Sequence, residues 1–138
     1  MNHPDVSAGT RILFLEDVDD TRELLKLKMH SSPFRCVFVA DALAACRAYF
    51  DALYGGEPFT AAVLDCAMRG KDGFVPAAVI RAWEAGENRM RFAALTAFDE
   101  IVVDTTLLKK YGFEKFFRKD RDLERLPELI TEWLGASG

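Results

Sequence analysis

Residues 61–73, AAVLDCAMRGKDG, begin with four apolar residues, continue with a single carboxylate, Asp65, and end in a loop with two glycines. A short apolar run of this kind is typical of a buried strand in a parallel sheet. In open α/β folds the ligand site lies at the carboxyl ends of such strands. We therefore predict that residues 61–64 form a strand and that Asp65 lies at the rim of the sheet.

An earlier stretch, RILFLEDVDD at residues 11–20, has the same design. Its apolar part, 11–15, is predicted to be the first strand, and it is followed at once by Glu16 and Asp17. Two strands would then bring three acids, with Asp65, to one edge of the sheet. Like charges this close cannot all ionise without a nearby cation. Hard carboxylate oxygens suit Mg²⁺, so the pattern predicts a magnesium site and an activated aspartate.

The rest of the chain alternates between strand and helix patterns. Further strands are predicted at 35–39, 92–95 and 115–118, and helices near 20–30, 42–54, 76–86, 99–111 and 126–134. Strands separated by helices in one compact domain imply a parallel sheet covered on both faces. The predicted fold class is therefore α/β: a doubly wound, five-stranded, flavodoxin-like sheet of order 2-1-3-4-5 with its crevice between strands one and three.

Two aspartates are predicted to cap helices. Asp20 would cap the first helix, with Glu23 three residues later completing a capping box. Asp41 would cap the second helix. Gly112, directly after the fourth helix, has the position of a C-terminal glycine with a left-handed backbone.

Length and charge limit the function. A chain of 138 residues forms one domain, which we place at 11–135, after a polar lead-in at 1–10 that we expect to be flexible. The net charge of −4 argues against nucleic acid as a partner. Arg81, Arg89 and Arg91 are expected to lie on a solvated face rather than to bind DNA.

The cysteines and the N-terminus bear on location. The three cysteines have no CxxC or Cys/His metal spacing and are expected to be free thiols in a reducing compartment: Cys36, Cys46 and Cys66. Residues 1–5 lack the basic and apolar regions of a signal peptide, and no apolar stretch has membrane-spanning length. We therefore expect a cytoplasmic protein that has no membrane partner.

Two further polar residues follow predicted strands: Thr96 after the fourth and Lys119 after the fifth. A carboxylate such as Asp65 can attack phosphorus and form an acyl phosphate. The phosphoryl oxygens then need positive or donor groups beside the metal, and Lys119 and Thr96 can provide them. The five strand-end residues together predict phosphoryl chemistry.

These motifs resemble those of the receiver domain of two-component response regulators, from about Thr10 to Leu134. The likeness rests on the acidic pair at 16–17, on Asp65 with its Gly-containing loop, on Thr96-Ala97, and on an aromatic residue, Phe116, three positions before Lys119. Each motif alone is a weak signal. Together, in this order and at this spacing, they make a specific one.

The resemblance implies a role for each site residue. Asp65 would accept a phosphoryl group from a histidine kinase or a histidine phosphotransfer protein. Mg²⁺ would be held by Asp17 directly and by Glu16 through water, with Asp65 and the backbone carbonyl of Ala67 as further ligands. Lys119 would pair with the acyl phosphate.

The same resemblance implies a switch. Thr96 would move toward the phosphoryl group while Phe116 turns inward, and the face formed by helix four, strand five and helix five would then bind a downstream protein. A phosphorylation-dependent homodimer is compatible with this scheme. The chain would be a signalling domain rather than an enzyme, although it would support its own Mg²⁺-dependent phosphorylation and slow dephosphorylation.

Two residues depart from the family pattern, because Arg69 and Asp120 stand where the family usually has proline. A cis peptide bond before a residue other than proline costs roughly 3 kcal/mol, so we predict a trans Lys119–Asp120 bond. A degenerate receiver that binds proteins without phosphorylation is the alternative function. A flavodoxin is disfavoured because four acids at 16–20 would repel a flavin phosphate, and a dehalogenase-type phosphohydrolase because Ala67 stands where it needs a second aspartate. A stand-alone regulator, a phosphorelay shuttle and a fragment of a hybrid kinase all stay open.

Overall fold

A computed structural model describes residues 9–66, 74–84, 89–97 and 105–135. The strands are β1 (Arg11–Leu15), β2 (Arg35–Val39), β3 (Ala61–Asp65), β4 (Arg91–Thr96) and β5 (Phe113–Arg118). The helices are α1 (Asp19–Met29), α2 (Ala42–Tyr54), α3 (Phe74–Trp83), α4 (Thr105–Lys110) and α5 (Leu126–Gly135), the last preceded by a 3-10 turn at Leu123–Arg125. The predicted start of the fourth helix, near residue 99, lies outside the described residues.

The five strands form one parallel sheet of order β2-β1-β3-β4-β5, which confirms the predicted fold class and strand order. Helices α2, α3 and α4 cover one face, where they pack on inward residues such as Leu13, Leu64 and Phe92. Helices α1 and α5 cover the other face, against residues such as Ile12 and Val63. Alternate residues of each strand point to opposite faces, so the apolar central strands supply both cores.

One of the two predicted helix caps is confirmed. The side chain of Asp41 accepts a hydrogen bond from the backbone N–H of Ala44 at 2.8 Å, and α2 begins at the next residue. The predicted Asp20 cap is wrong, because α1 begins one residue earlier and has Val18 at its N-cap position. Asp20 therefore lies inside the first turn, where its negative charge still interacts favourably with the positive end of the helix dipole.

The expectation that Arg81, Arg89 and Arg91 line a solvated face is wrong for two of them. The guanidinium of Arg81 is largely buried and lies 3.8 Å from the centre of the Phe92 ring, and its Nε donates to the carbonyl of Tyr111 at 2.7 Å. Arg91 instead pairs with Glu114 at 2.8 Å. Both guanidinium groups therefore form contacts within the protein, between helices or between strands, rather than a charged surface for a partner.

Three smaller predictions can be compared with the structure. Gly112 has a φ of +76°, as expected for a left-handed residue after a helix. The cysteines Cys36, Cys46 and Cys66 are free thiols. Among the described segments, none of the helices has the length and apolar character that crossing a membrane would require.

Candidate functional site

The strand order alone brings the acidic residues together. Strands β1 and β3 are direct neighbours, with Leu15 in register with Leu64. Glu16 and Asp17 therefore leave the sheet beside Asp65. Carboxylate oxygens of these three residues all lie within 4.8 Å of one another, as the sequence predicted.

Lys119 joins this cluster from β5, two strands away from β3. Its Nζ lies 2.8 Å from Oδ2 of Asp65 and 2.7 Å from Oε1 of Glu16. The backbone N–H of Lys119 donates to the carbonyl of Thr96 at 2.8 Å, which fixes the chain where β5 ends. One ammonium therefore lies between two buried carboxylates.

Burial and charge set the ionisation of this group. Burial raises the pKa of Glu16, and Lys119 opposes that shift. Burial by itself would lower the pKa of Lys119, but the hydrogen bonds to Asp65 and Glu16 and the charges of these acids together outweigh it, so the pKa of Lys119 is raised. The ammonium thus stays charged and compensates two carboxylates that are almost completely removed from water.

The donor set fits a hard divalent cation. Oε2 of Glu16 accepts the backbone N–H of Val18 at 3.1 Å, and Oε1 is buried with the ammonium of Lys119 2.7 Å away. The ammonium of Lys119 offsets one of the three acidic charges of the cluster, so a divalent cation would compensate the remainder. Because Asp17 is exposed, solvent could supply the water ligands that Mg²⁺ retains.

The remaining predicted site residues have mixed outcomes. Thr96 ends β4 and is buried at the same edge of the sheet. Phe116 is 46% exposed on β5, so its side chain lies outward in this structure. Ala67, predicted to offer a carbonyl to the metal, and Arg69 lie outside the described residues.

Sequence reasoning missed the support of Glu16. Its carboxylate is held by the N–H of Val18, and its backbone carbonyl accepts a hydrogen bond from Arg22 at 3.1 Å. Arg22 is also paired with Asp19 at 2.6 Å. The sequence signal for this contact was the spacing of Asp19 and Arg22, an acid followed three residues later by a cation in the first turn of a helix.

The position after Lys119 also differs from the family pattern without disturbing the lysine. All peptide bonds among the described residues are trans, which includes Lys119–Asp120 and confirms that prediction. The carboxylate of Asp120 is paired with Arg118, with Oδ1 at 3.1 Å from Nε and Oδ2 at 2.9 Å from the terminal nitrogen. The charge of Asp120 is therefore compensated by Arg118, and Lys119 remains paired with Asp65 and Glu16.

The chain is similar to known proteins in its three-dimensional structure, whereas the sequence comparisons found no match. No protein-family model matches the chain, and no curated protein matches it. Among solved structures, the receiver domain of the sensor histidine kinase PA1611 from Pseudomonas aeruginosa, with a magnesium ion in its active-site cleft, is 26% identical, with a TM-score of 0.73, over 94% of this chain and 100% of that one.

Two further structures are similar at lower identity. The phosphorylated cyanobacterial phytochrome response regulator RcpA is 18% identical with a TM-score of 0.71, covering 94% of this chain and 96% of that one. A putative response regulator from Chloroflexus aurantiacus is 19% identical with a TM-score of 0.72, covering 92% and 98%. The chain therefore has the fold of response regulator receiver domains, as the sequence motifs suggested. Receiver domains are signalling domains rather than classical enzymes.

Proposed function

We propose that this chain is a phosphoacceptor response regulator in which Asp65 receives a phosphoryl group. The observation that carries the proposal is the position of Asp65. Its carboxylate is 2% exposed at the edge of the sheet, 2.8 Å from the ammonium of Lys119 and beside two further acids. A structural aspartate would not need this arrangement of compensating charge.

The transfer step would conserve atoms and charge in a simple way. An oxygen of Asp65 forms a bond to the phosphorus of a phosphohistidine on a histidine kinase or phosphotransfer protein, while the P–N bond breaks. The histidine nitrogen leaves with the bonding electron pair. The product is an aspartyl phosphate, and the donor histidine is regenerated.

The residues of the site would divide the remaining work. Glu16, Asp17 and Asp65 would hold Mg²⁺, together with the carbonyl of Ala67. That ion would neutralise charge on the phosphoryl oxygens. Lys119, already paired with Asp65, would keep its ammonium against the phosphoryl oxygens, and the Thr96 hydroxyl at the same edge would donate to them.

The output of the signal would pass through helix α4, strand β5 and helix α5. Thr96 ends β4 next to β5, with Arg118 as its register partner, and Phe116 lies two residues before Arg118. We propose that phosphorylation draws Thr96 toward Asp65 and turns the exposed Phe116 ring inward. A downstream protein, or a second phosphorylated copy, would then bind this face.

Intact-mass measurement after incubation with acetyl phosphate or phosphoramidate tests the proposal. We expect one phosphoryl adduct in the presence of Mg²⁺ and none in EDTA. Asp65→Asn should remove the adduct, whereas Asp20→Asn, a nearby exposed acid outside the cluster, should retain it. No adduct in the native protein with these donors or a histidine kinase would favour the phosphorylation-independent binding module instead.

A further inference from the structure

A second surface of the molecule, away from Asp65, carries exposed apolar side chains. We call it the α2–α3 face; its exposed members are Leu43 and Tyr54 on α2 and Val75, Val79 and Trp83 on α3, and it includes the half-buried Phe50 of α2. Leu43 is 64% exposed, Tyr54 70% and Trp83 52%. Isolated exposed apolar residues are ordinary, but a contiguous group of them marks an interaction site.

The members of this face form a contiguous surface. The ring of Phe50 meets that of Trp83 edge-on, with ring centres 5.2 Å apart, and stacks with that of Tyr54 at 6.3 Å. Helices α2 and α3 follow β2 and β3, two parallel strands separated by β1, and pack on the same side of the sheet, so they run in the same direction. The aromatic contact therefore joins two parallel apolar stripes.

Along α2 the stripe has the spacing of a helix-packing seam. Leu43, Arg47, Phe50 and Tyr54 follow one another at intervals of four, three and four residues. Such intervals place side chains in one line along a helix, as at the a and d positions of a coiled coil. Leu43, Arg47 and Tyr54 on this line are exposed and Phe50 is half-buried. The inward side of the helix is formed by other residues, including Ala45, Tyr49 and Ala52.

The charged side chains of α2 are of both signs, and they form no ion pair with the described residues. The charged residues of α2 are Arg47 and Asp51, one of each sign, and both are exposed. Neither forms an ion pair with any residue that the structure describes. The charged residue of α3, Arg81, is held inward by Glu84. In a chain with a net charge of −4, this face is electrically neutral.

We propose that the α2–α3 face binds a second copy of this chain, with the two α2 helices packed antiparallel about a twofold axis. A twofold interface joins a surface to itself, so it must be self-complementary. The pair at positions 43 and 54 and the pair at positions 47 and 51 are both centred near residue 49. One axis there places Leu43 against Tyr54 of the second copy, and Arg47 against Asp51 of the second copy.

This arrangement uses each feature of the face. The central Arg47 would lie beside the Phe50 ring of the second copy while its charge meets Asp51, so that a charged residue in an apolar seam is compensated. Trp83, on the adjacent stripe, would be covered at the edge of the interface. The proposed output face of α4, β5 and α5 takes no part, so this association does not depend on phosphorylation of Asp65.

Sedimentation velocity over a concentration series tests this association, with and without Mg²⁺ and phosphodonor. We expect a monomer–dimer equilibrium that is the same in both conditions, with a blue shift of Trp83 emission as the dimer fills. Leu43→Glu and Tyr54→Glu should prevent dimerisation. Leu27→Glu, an equally exposed leucine on α1, is the matched control and should not. Native protein that stays monomeric throughout the series overturns the proposal, as does a dimer that survives Leu43→Glu.

Charge reversal tests the antiparallel twofold register. Arg47→Asp and Asp51→Arg each place like charges opposite one another and should weaken dimerisation by about tenfold or more. The double variant restores opposite charges across the axis and should recover dimerisation, with far-UV circular dichroism checking that each variant is folded. Single variants that weaken association without recovery in the double variant would contradict a second copy in this register.

Discussion

The ammonium of Lys119 lies 2.8 Å from the carboxylate of Asp65, although β4 separates β3, which ends at Asp65, from β5, which ends one residue before Lys119. The loop that follows β5 therefore reaches back across the sheet edge. Because the same ammonium contacts Glu16 at 2.7 Å, it compensates two buried acids at once. Phosphorylation of Asp65 would add negative charge that this one ammonium cannot also compensate, so a further cation is needed. This is the physical reason to expect phosphorylation to depend on Mg²⁺.

Replacing Lys119 by an uncharged residue should show how much the buried acids depend on its ammonium group. Lys119→Met leaves two buried carboxylates without their cation, which we expect to lower the free energy of unfolding by about 3 kcal/mol in EDTA. Mg²⁺ should recover part of that loss. Lys115→Met, an exposed lysine on β5, is the control for removing one positive charge. Urea unfolding with and without Mg²⁺ measures both effects, and an equal loss in the control would contradict the proposed compensation.

Magnesium binding should be visible as thermal stabilisation. A ligand that binds only the folded state stabilises it by about 2.7 kcal/mol at a hundredfold excess over its dissociation constant. We expect the melting temperature of the native protein to rise with Mg²⁺ and that of Asp17→Asn to respond far less. Asp20→Asn, three residues further on, should keep the full response. A response that survives in Asp17→Asn would place the ion elsewhere.

The fold was predictable because its signals are local. Each central strand is a short apolar run that ends in a polar residue, and Asp41, two residues after β2 ends, caps α2. The Asp20 cap failed because the backbone N–H of Arg22 donates to the carbonyl of Val18 at 2.9 Å, which starts α1 before Asp20, and Val18 is itself held by Glu16 of the site. That choice depends on tertiary structure, so local preferences could not reveal it.

The site was predictable to the extent that strand order determines it. Glu16, Asp17 and Asp65 follow neighbouring strands, so their proximity follows from topology. The roles of Arg81 and Arg91 could not be foreseen, because a buried cation over an aromatic ring looks like a surface cation in sequence. Their partners, such as Phe92 and Glu114, are brought near by the sheet and by α5.

Glu114 offers a test of the structural ion pairs. Its Oε1 accepts from Arg91 at 2.8 Å and from the indole N–H of Trp133 at 3.0 Å, and so joins β4, β5 and α5. Burial raises the pKa of Glu114, but these hydrogen bonds together with the charges of Arg91 and Arg81 outweigh it, so the pKa is lowered. Because the carboxylate is partly exposed, we expect Glu114→Gln to cost only about 1 kcal/mol at neutral pH.

The pH dependence of that cost has a definite sign. A carboxylate whose pKa is lowered in the folded state contributes stability above its unfolded pKa and loses it as the pH falls through the folded pKa. The difference between native protein and Glu114→Gln should therefore shrink in acid. Glu128→Gln, an exposed glutamate on α5, is the control and should cost less at neutral pH. A Glu114 effect that grows in acid would contradict the lowered pKa.

The proposed switch predicts where the response should spread. Adding a beryllofluoride mimic of the acyl phosphate with Mg²⁺ should change amide chemical shifts mainly within residues 96–125, and the Phe116 ring, now 46% exposed, should become less accessible. Asp65→Asn under the same conditions is the control. Shifts that stay confined to the neighbourhood of Asp65 would show that the site is not coupled to β5.

Chemical mapping of the acyl phosphate tests the central proposal most directly. Borohydride reduces an aspartyl phosphate to homoserine, which marks the modified residue in a peptide mass map. After treatment with phosphodonor and Mg²⁺, we expect homoserine at position 65, and none when Mg²⁺ is removed with EDTA. Homoserine at Asp17 or another acid, with Asp65 unmodified, would contradict the assignment of Asp65 as the phosphoacceptor.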